Sequence, residues 1–251
     1  MLVLSDLHKS FPKADGTAAH VLRGLSLTVD SGEFITVLGN NGAGKSTLFN
    51  LIGGALWPNR GKILLNDRDI TFLPEYKRAH FIGRVFQNPQ MGTAPNLTVA
   101  ENLALAYGRQ NRKLFNRAIT KDLRKIFAEK LAEAGMGLED KLDNRMNELS
   151  GGQSQVVALI MSTLRPPQLL LLDEHTAALD PQIAQDVLAF TCRLAERDRL
   201  TVIMITHNLQ DALDIGDRLI MLDKGKIAHI FNREEKADLA PDDLRKLYHI
   251  P

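Results

Sequence analysis

The sequence predicts an α/β fold organised around a parallel sheet, and three observations predict it. First, Phe34-Ile35-Thr36-Val37-Leu38 is an apolar run of strand length, followed by a glycine-rich turn and a helical stretch, Ser46 to Ile52, closed by Gly53-Gly54. Second, three further apolar runs, 82–86, 169–172 and 201–206, each lead into polar residues: Gln87, Asp173-Glu174 and His207. Continuous apolar runs suit strands buried on both faces, as parallel strands are. Third, residues 97–165 change to helical periodicity before the apolar runs return, which reads as a helical insertion within an α/β frame.

In chain order, residues 1–36 read as β-rich. Leu2-Val3-Leu4 and the stretch from Val21 to Val29 alternate as strands do, with Pro12 to Thr17 as a turn or loop between them. Phe11 opens that loop. An exposed aromatic there could stack on a purine ring, but a lone aromatic is more often a core residue or a chance surface one. Gly61 to Leu65 gives a short strand before a loop through Pro74, and Asn88-Pro89 breaks regular structure after Gln87. Within the insertion, Thr98 to Ala106 and Ala118 to Ala134 read as helices, the second with Leu123, Phe127 and Leu131 recurring every four residues. Its basic start (Arg109, Arg112, Lys113, Arg117, Lys121, Arg124, Lys125) reads as a solvated face, with a partner-docking face as the minority alternative. A helix from Gln153 to Leu164 follows. After the carboxylates come a helix from Ile183 to Arg197, the strand leading to His207, a helix from Leu209 to Asp214, and strands Arg218 to Leu222 and Lys226 to Phe231 joined by Lys224-Gly225. Residues 233–251 read as a tail with a short amphipathic helix, Asp242 to Tyr248.

Composition bounds the function. The 251 residues are 44% apolar and 24% charged, as in an ordinary globular protein. A net charge of +1 gives no electrostatic footprint for nucleic acid, so no nucleic-acid partner is expected. The one cysteine, Cys192, allows no intrachain disulfide and no cysteine zinc site. No run approaches a bilayer-spanning length, and Met1 to Asp6 lacks the features of a secretory signal, so a cytoplasmic location is expected.

The chemistry concentrates in two places. Gly39 to Ser46 fits the phosphate-binding pattern G-x-x-x-x-G-K-[ST] in its required strand–turn–helix context. Backbone N–H groups from Gly39, Asn40, Asn41, Gly42, Ala43, Gly44 and the helix start through Thr47 would point at an anion, and the helix dipole adds to the attraction. Lys45 would reach the β- and γ-phosphates of a nucleotide, and the Ser46 hydroxyl would hold Mg²⁺. The second place is the set of strand ends, because ligands of open parallel sheets bind at the carboxyl ends of the strands. Asp173 fits a carboxylate acting on Mg²⁺, and Glu174 could orient or deprotonate water. His207 could donate a hydrogen bond to the γ-phosphate. Ser150-Gly151-Gly152 at a helix start is either a second anion site or a plain N-cap.

Taken together, these residues resemble the ATP-binding cassette (ABC) ATPases over about the first 230 positions, with every motif in family order: Gly39–Ser46, Gln87, Leu149-Ser150-Gly151-Gly152-Gln153, Leu169–Asp173 with Glu174, Ala177-Ala178-Leu179-Asp180, and His207. The resemblance implies a P-loop NTPase (RecA-like) core with an N-terminal antiparallel β subdomain and an inserted α-helical signature subdomain. The ATPase domain would span 1–235, with the insertion at about 90–165 and a short helical tail at 236–251. It also assigns roles. Phe11 would stack on adenine. Gln87 would contact Mg²⁺ and the attacking water, and its loop would couple to a membrane partner. Ser150, Gly151, Gly152 and Gln153 would cap the γ-phosphate held by a second copy, and Asp180 would help join the two sites of an ATP-sandwich dimer.

Two positions depart from the family pattern. His175 stands where proline usually follows the glutamate; it adds a titratable group, and a backbone role alone is the simpler expectation. Ser154-Gln155-Val156 replaces a basic-Gln-Arg run and removes a charge near the signature helix. The implied function is the ATPase subunit of a transporter, peripheral on the inner face of the cell membrane. It would work with integral membrane permease subunits and an extracytoplasmic substrate-binding protein. The string from Glu174 to Pro181 resembles bacterial importer cassettes, some linked to aromatic amino acids. The alternatives are a non-transport cassette ATPase, whose usual coiled coils, zinc inserts or tandem cassettes are absent from this sequence, and an unrelated GTPase or kinase, against which the Leu-Ser-Gly-Gly-Gln stretch speaks.

Overall fold

The computed structural model describes residues 1–108 and 119–248. Arg109, Arg112, Lys113 and Arg117 of the expected basic face lie outside the described residues.

Two sheets form the frame. The first is antiparallel, in the order β2 (Ala18–Val29), β1 (Leu2–Pro12), β4 (Arg60–Leu65), β5 (Arg68–Asp69). The second has the order β10 (Lys226–Phe231), β9 (Arg218–Asp223), β3 (Phe34–Gly39), β8 (Val202–Ile205), β7 (Leu169–Asp173), β6 (Ile82–Val85). Its strands are parallel except β10, which closes the far side as the antiparallel arm of a hairpin.

The apolar runs divide by parity, as strand geometry demands. Leu169, Leu171, Ile203 and Ile205 face a core shared with α1 (Lys45–Gly53) and the antiparallel sheet, including Leu48, Phe49, Leu4 and Leu25. Leu170, Leu172, Val202 and Met204 face the opposite core. There they meet Val99 and Leu103 of α3 (Val99–Gly108), Phe127 and Leu131 of α4 (Lys121–Ala132), Val156 and Leu159 of α5 (Gly151–Thr163), and Val187 and Phe190 of α6 (Pro181–Arg197). Burial on both faces explains why these strands read as continuous apolar runs.

Register places the site. Val85 pairs with Leu172, Asp173 with Ile205, and Ile205 with Val37. The residues that follow, Gln87, Glu174, His207 and the loop after Gly39, therefore leave the sheet along one rim.

The structure also revises the expected elements. β1 continues through Phe11, which pairs with Ala19, so Phe11 lies within a hairpin rather than opening a loop. β6 ends at Val85, two residues before Gln87. The expected loop to Pro74 contains β5, and the one-turn helix α2 (Glu75–Arg78) follows directly. Helix α7 (Leu209–Asp214) packs against the chain end, where α8 (Arg233–Ala237) spans the expected 235/236 boundary and α9 (Pro241–Tyr248) places Leu244 in a core with Leu38 and Ala212. Among the described residues no helix is long and apolar enough to cross a membrane.

Candidate nucleotide site

The phosphate loop is built by one backbone conformation and one helix end. Gly44 precedes α1 with φ 104°, a region costly for any residue with a Cβ, and a Cβ there would lie 2.8 Å from Leu22 Cδ2. No side chain caps the helix, so its first N–H groups have no side-chain acceptor. A helix start of this kind attracts an anion. Lys45 is buried, and its Nζ donates to the carbonyls of Gly39 and Asn40. Burial lowers the Lys45 pKa, while the charges of Glu174 and Asp173 oppose that shift. Asn40, Asn41, Gly42 and Ser46 are exposed, and Thr47 is half-buried. The buried Ala43 fixes the loop: its N–H donates to Asn40 O at 3.0 Å, and its carbonyl accepts from Gly225 N–H at 3.1 Å. Phe11 is half-buried, with the Lys9 ammonium 5.2 Å from its ring centroid.

The carboxylates stand beside this loop. Asp173 Oδ2 accepts from Arg84 Nη2 at 3.1 Å. Glu174 takes φ 46°, an uncommon conformation for a residue with a side chain, and its N–H donates to Ile205 O at 3.0 Å. Its Oε2 lies 3.5 Å from Nδ1 of the exposed His207. Gln87 lies exposed beyond β6. The rim thus brings Lys45, Asp173, Glu174 and His207 together.

His175 has a side-chain role that the sequence did not predict. Its ring is 2% exposed and its Nε2 lies 3.2 Å from Thr191 Oγ1. The Thr191 hydroxyl donates to Val187 O at 2.8 Å, so it accepts from an Nε2–H tautomer of His175. Burial pushes the His175 pKa down to about 4, which keeps the ring neutral. The expectation of a backbone role alone is therefore corrected.

Ser150 and Gln153 form a reciprocal capping box at the start of α5. Gln153 Oε1 also accepts from Lys141 Nζ at 3.0 Å. Gly151 is exposed, whereas a Cβ on Gly152 would lie 2.2 Å from Ile183 Cγ2, so α5 and α6 approach closely there. Next, the buried Gln155 donates through Nε2 to Phe86 O at 3.0 Å, tying α5 to the segment before Gln87. Asp180 is exposed at the start of α6. Among the described residues no hydrogen bond or ion pair joins Ser150–Gln153 to the phosphate loop.

Arg84, Asn50, Arg78 and Thr191 escaped the sequence reading. Arg84 carried one signal, a lone cation inside an apolar strand. Arg78 carried none, because its partners are backbone carbonyls of distant residues.

The donor set fits Mg²⁺. Ser46, Asp173 and Gln87 offer a hydroxyl, one carboxylate and an amide oxygen, all hard oxygen ligands. Among the described residues no cluster of three or more His, Cys, Asp or Glu side chains could hold a metal.

A sequence profile of the ABC transporter family matches residues 22–177. The chain is 42% identical to the tyrosine transport ATP-binding protein of Clostridioides difficile, over 97% of each chain. It is 35% identical to the spermidine/putrescine import ATP-binding protein PotA of Mycoplasma capricolum, over 86% of this chain but 58% of that protein. Among solved structures, the dimeric cassette MJ0796 in a post-hydrolysis state with ADP and Pi superposes with a TM-score of 0.80 at 28% identity, covering 93% of this chain and 99% of that one. A nucleotide-free cassette of an ABC transporter superposes with a TM-score of 0.82 at 27% identity, covering 100% and 99%.

Proposed function

The chain belongs to the ABC transporter family as an ATP-binding, ATP-hydrolysing cassette, and from that premise we propose that it energises a bacterial importer of an aromatic amino acid. The observation that carries the ATPase half of the reading is the single rim joining Lys45, Asp173, Glu174 and His207. Lys45 releases its loop carbonyls to bind the β- and γ-phosphates. Glu174 orients and deprotonates the attacking water, and His207 donates to the γ-phosphate. Ser46, Asp173 and Gln87 hold Mg²⁺, which when bound draws charge from the phosphate oxygens. Phe11 stacks on adenine. Ser150, Gly151, Gly152 and Gln153, with Asp180, complete the site of a second copy.

The same reading gives the chain its partners. Integral membrane permease subunits receive the motion of the helical insertion and the Gln87 loop. The cassette sits on the cytoplasmic face of the membrane, and an extracytoplasmic binding protein delivers the solute. The name of the Clostridioides difficile relative supports an aromatic substrate.

The test is reconstitution of the chain with its permease in vesicles. ATP hydrolysis should rise when tyrosine-loaded binding protein is enclosed, and Lys45→Ala should abolish it. Hydrolysis that persists in Lys45→Ala removes the assignment of the phosphate loop. Hydrolysis that responds to a different solute removes only the assignment of the substrate.

A further inference from the structure

Arg84 enters the rim from β6. Its Nη2 donates to Asp173 Oδ2 at 3.1 Å and its Nη1 donates to Asn50 Oδ1 at 2.9 Å. One guanidinium therefore ties the carboxylate at the end of β7 to the helix that follows the phosphate loop. Its central carbon lies 4.6 Å from the centroid of the Phe86 ring. Both charged side chains are largely out of water, Arg84 at 13% and Asp173 at 19% exposure. Salt screens such a pair much less than a surface pair.

The charges around this carboxylate balance. Lys45 and Arg84 stand against Asp173 and Glu174, and the formal charges of these four side chains sum to zero. A divalent cation gains little from a neutral cluster, and it gains substantially if one of the two cations is removed. We propose that Arg84 is a positioning countercharge that holds Asp173 to α1 and suppresses its affinity for a free divalent cation, so that the cation is retained only together with a nucleotide. The proposal rests on the reading of Asp173 as a metal carboxylate.

The test uses nucleotide-free protein with Mn²⁺ as the probe, following loss of the free-ion electron paramagnetic resonance signal. Arg84→Gln keeps hydrogen-bonding capacity and removes the charge, and should bind Mn²⁺ about tenfold more tightly than wild type. Arg84→Lys keeps the charge and should behave as wild type. Adding Asp173→Asn to Arg84→Gln should abolish the gain. If circular dichroism shows Arg84→Gln unfolded, Arg84→Met takes its place. Unchanged or weaker Mn²⁺ binding in the neutral variant overturns the proposal, as does Arg84→Lys binding as tightly as Arg84→Gln. The underlying reading is tested separately by the Mg²⁺ dependence of fluorescent ADP binding in Asp173→Asn. If that dependence matches wild type, Asp173 is not a metal residue. If it changes while Arg84→Gln leaves Mn²⁺ binding unaltered, only the role of Arg84 fails.

Discussion

Glu174 carries a backbone conformation of φ 46°, which costs of order 1 kcal/mol or more for a residue with a Cβ and persists only when its surroundings enforce it. Two contacts do so: the Glu174 N–H bond to Ile205 O on one side and the buried His175 ring docked on Thr191 of α6 on the other. The histidine brings a titration with it. Its folded pKa of about 4 lies below the ordinary 6.5, so between these values the unfolded chain takes up a proton that the native ring refuses. Stability therefore rises with pH across that window and falls as the solution is acidified, by about 3 kcal/mol once pH reaches 4. His175→Gln removes the titration, so the difference in urea unfolding free energy between pH 7 and pH 4.5 should shrink markedly in that variant. An unchanged difference would assign the acid sensitivity to other groups. The position of His175 was legible in the sequence as a departure from pattern. Its partner was not, because Thr191 lies sixteen residues away on another element.

At the scale of elements, the two ends of α1 are treated in opposite ways. Its start is left without a side-chain cap, and its finish is held by the fully buried Arg78 of α2. Arg78 Nη1 donates to Leu51 O and Ile52 O at 2.7 Å each, Nε to Leu73 O at 2.7 Å, and Nη2 to Thr71 O at 3.0 Å. A cation there also complements the negative end of the helix dipole. Arg78→Met fills similar volume but strands buried carbonyls, and should cost about 3–5 kcal/mol in denaturant unfolding, with weaker nucleotide binding because the phosphate loop rests on α1. A loss below about 1 kcal/mol would show that water or a local shift satisfies those carbonyls. The long apolar strands and the helices of the insertion were legible because burial leaves a direct mark on composition. The second half of β1 was not: within a region read only as β-rich, strand was assigned at Leu2-Val3-Leu4 and none at His8, Lys9 and Ser10, yet the hairpin ladder carries them as half-buried strand. Arg78 shows the same limit, since nothing in the Lys77-Arg78 pair marks one cation for burial until the carbonyls of α1 surround it.

At the scale of the molecule, the fold presents two glycine-bearing helix starts, those of α1 and α5, and only that of α1 adjoins Asp173 and Glu174. The phosphate loop lies beside Asp173 and Glu174, whereas Ser150 and Gly151 are exposed at the start of α5 and share no hydrogen bond with that loop among the described residues. A two-fold dimer that sets each signature stretch on the partner's nucleotide would complete both sites. Mixing distinguishes this arrangement from one within a single chain. In a Glu174→Gln background, which should slow turnover and hold ATP in place, Lys45→Ala disables a phosphate loop. Gly151→Asp places a negative charge where the partner's γ-phosphate would come. Aspartate suits the first turn of a helix, and a Cβ at Gly151 meets only the flexible end of Leu179 at 3.3 Å, so α5 should survive the change. Neither variant alone should dimerise with ATP on gel filtration. Mixed, they can pair so that both lesions fall in one site and the other stays intact, and a dimer peak holding one nucleotide per dimer should appear. Were the signature to serve its own chain, the lesions would fall in different sites, every site in the mixture would be damaged, and no dimer peak would form.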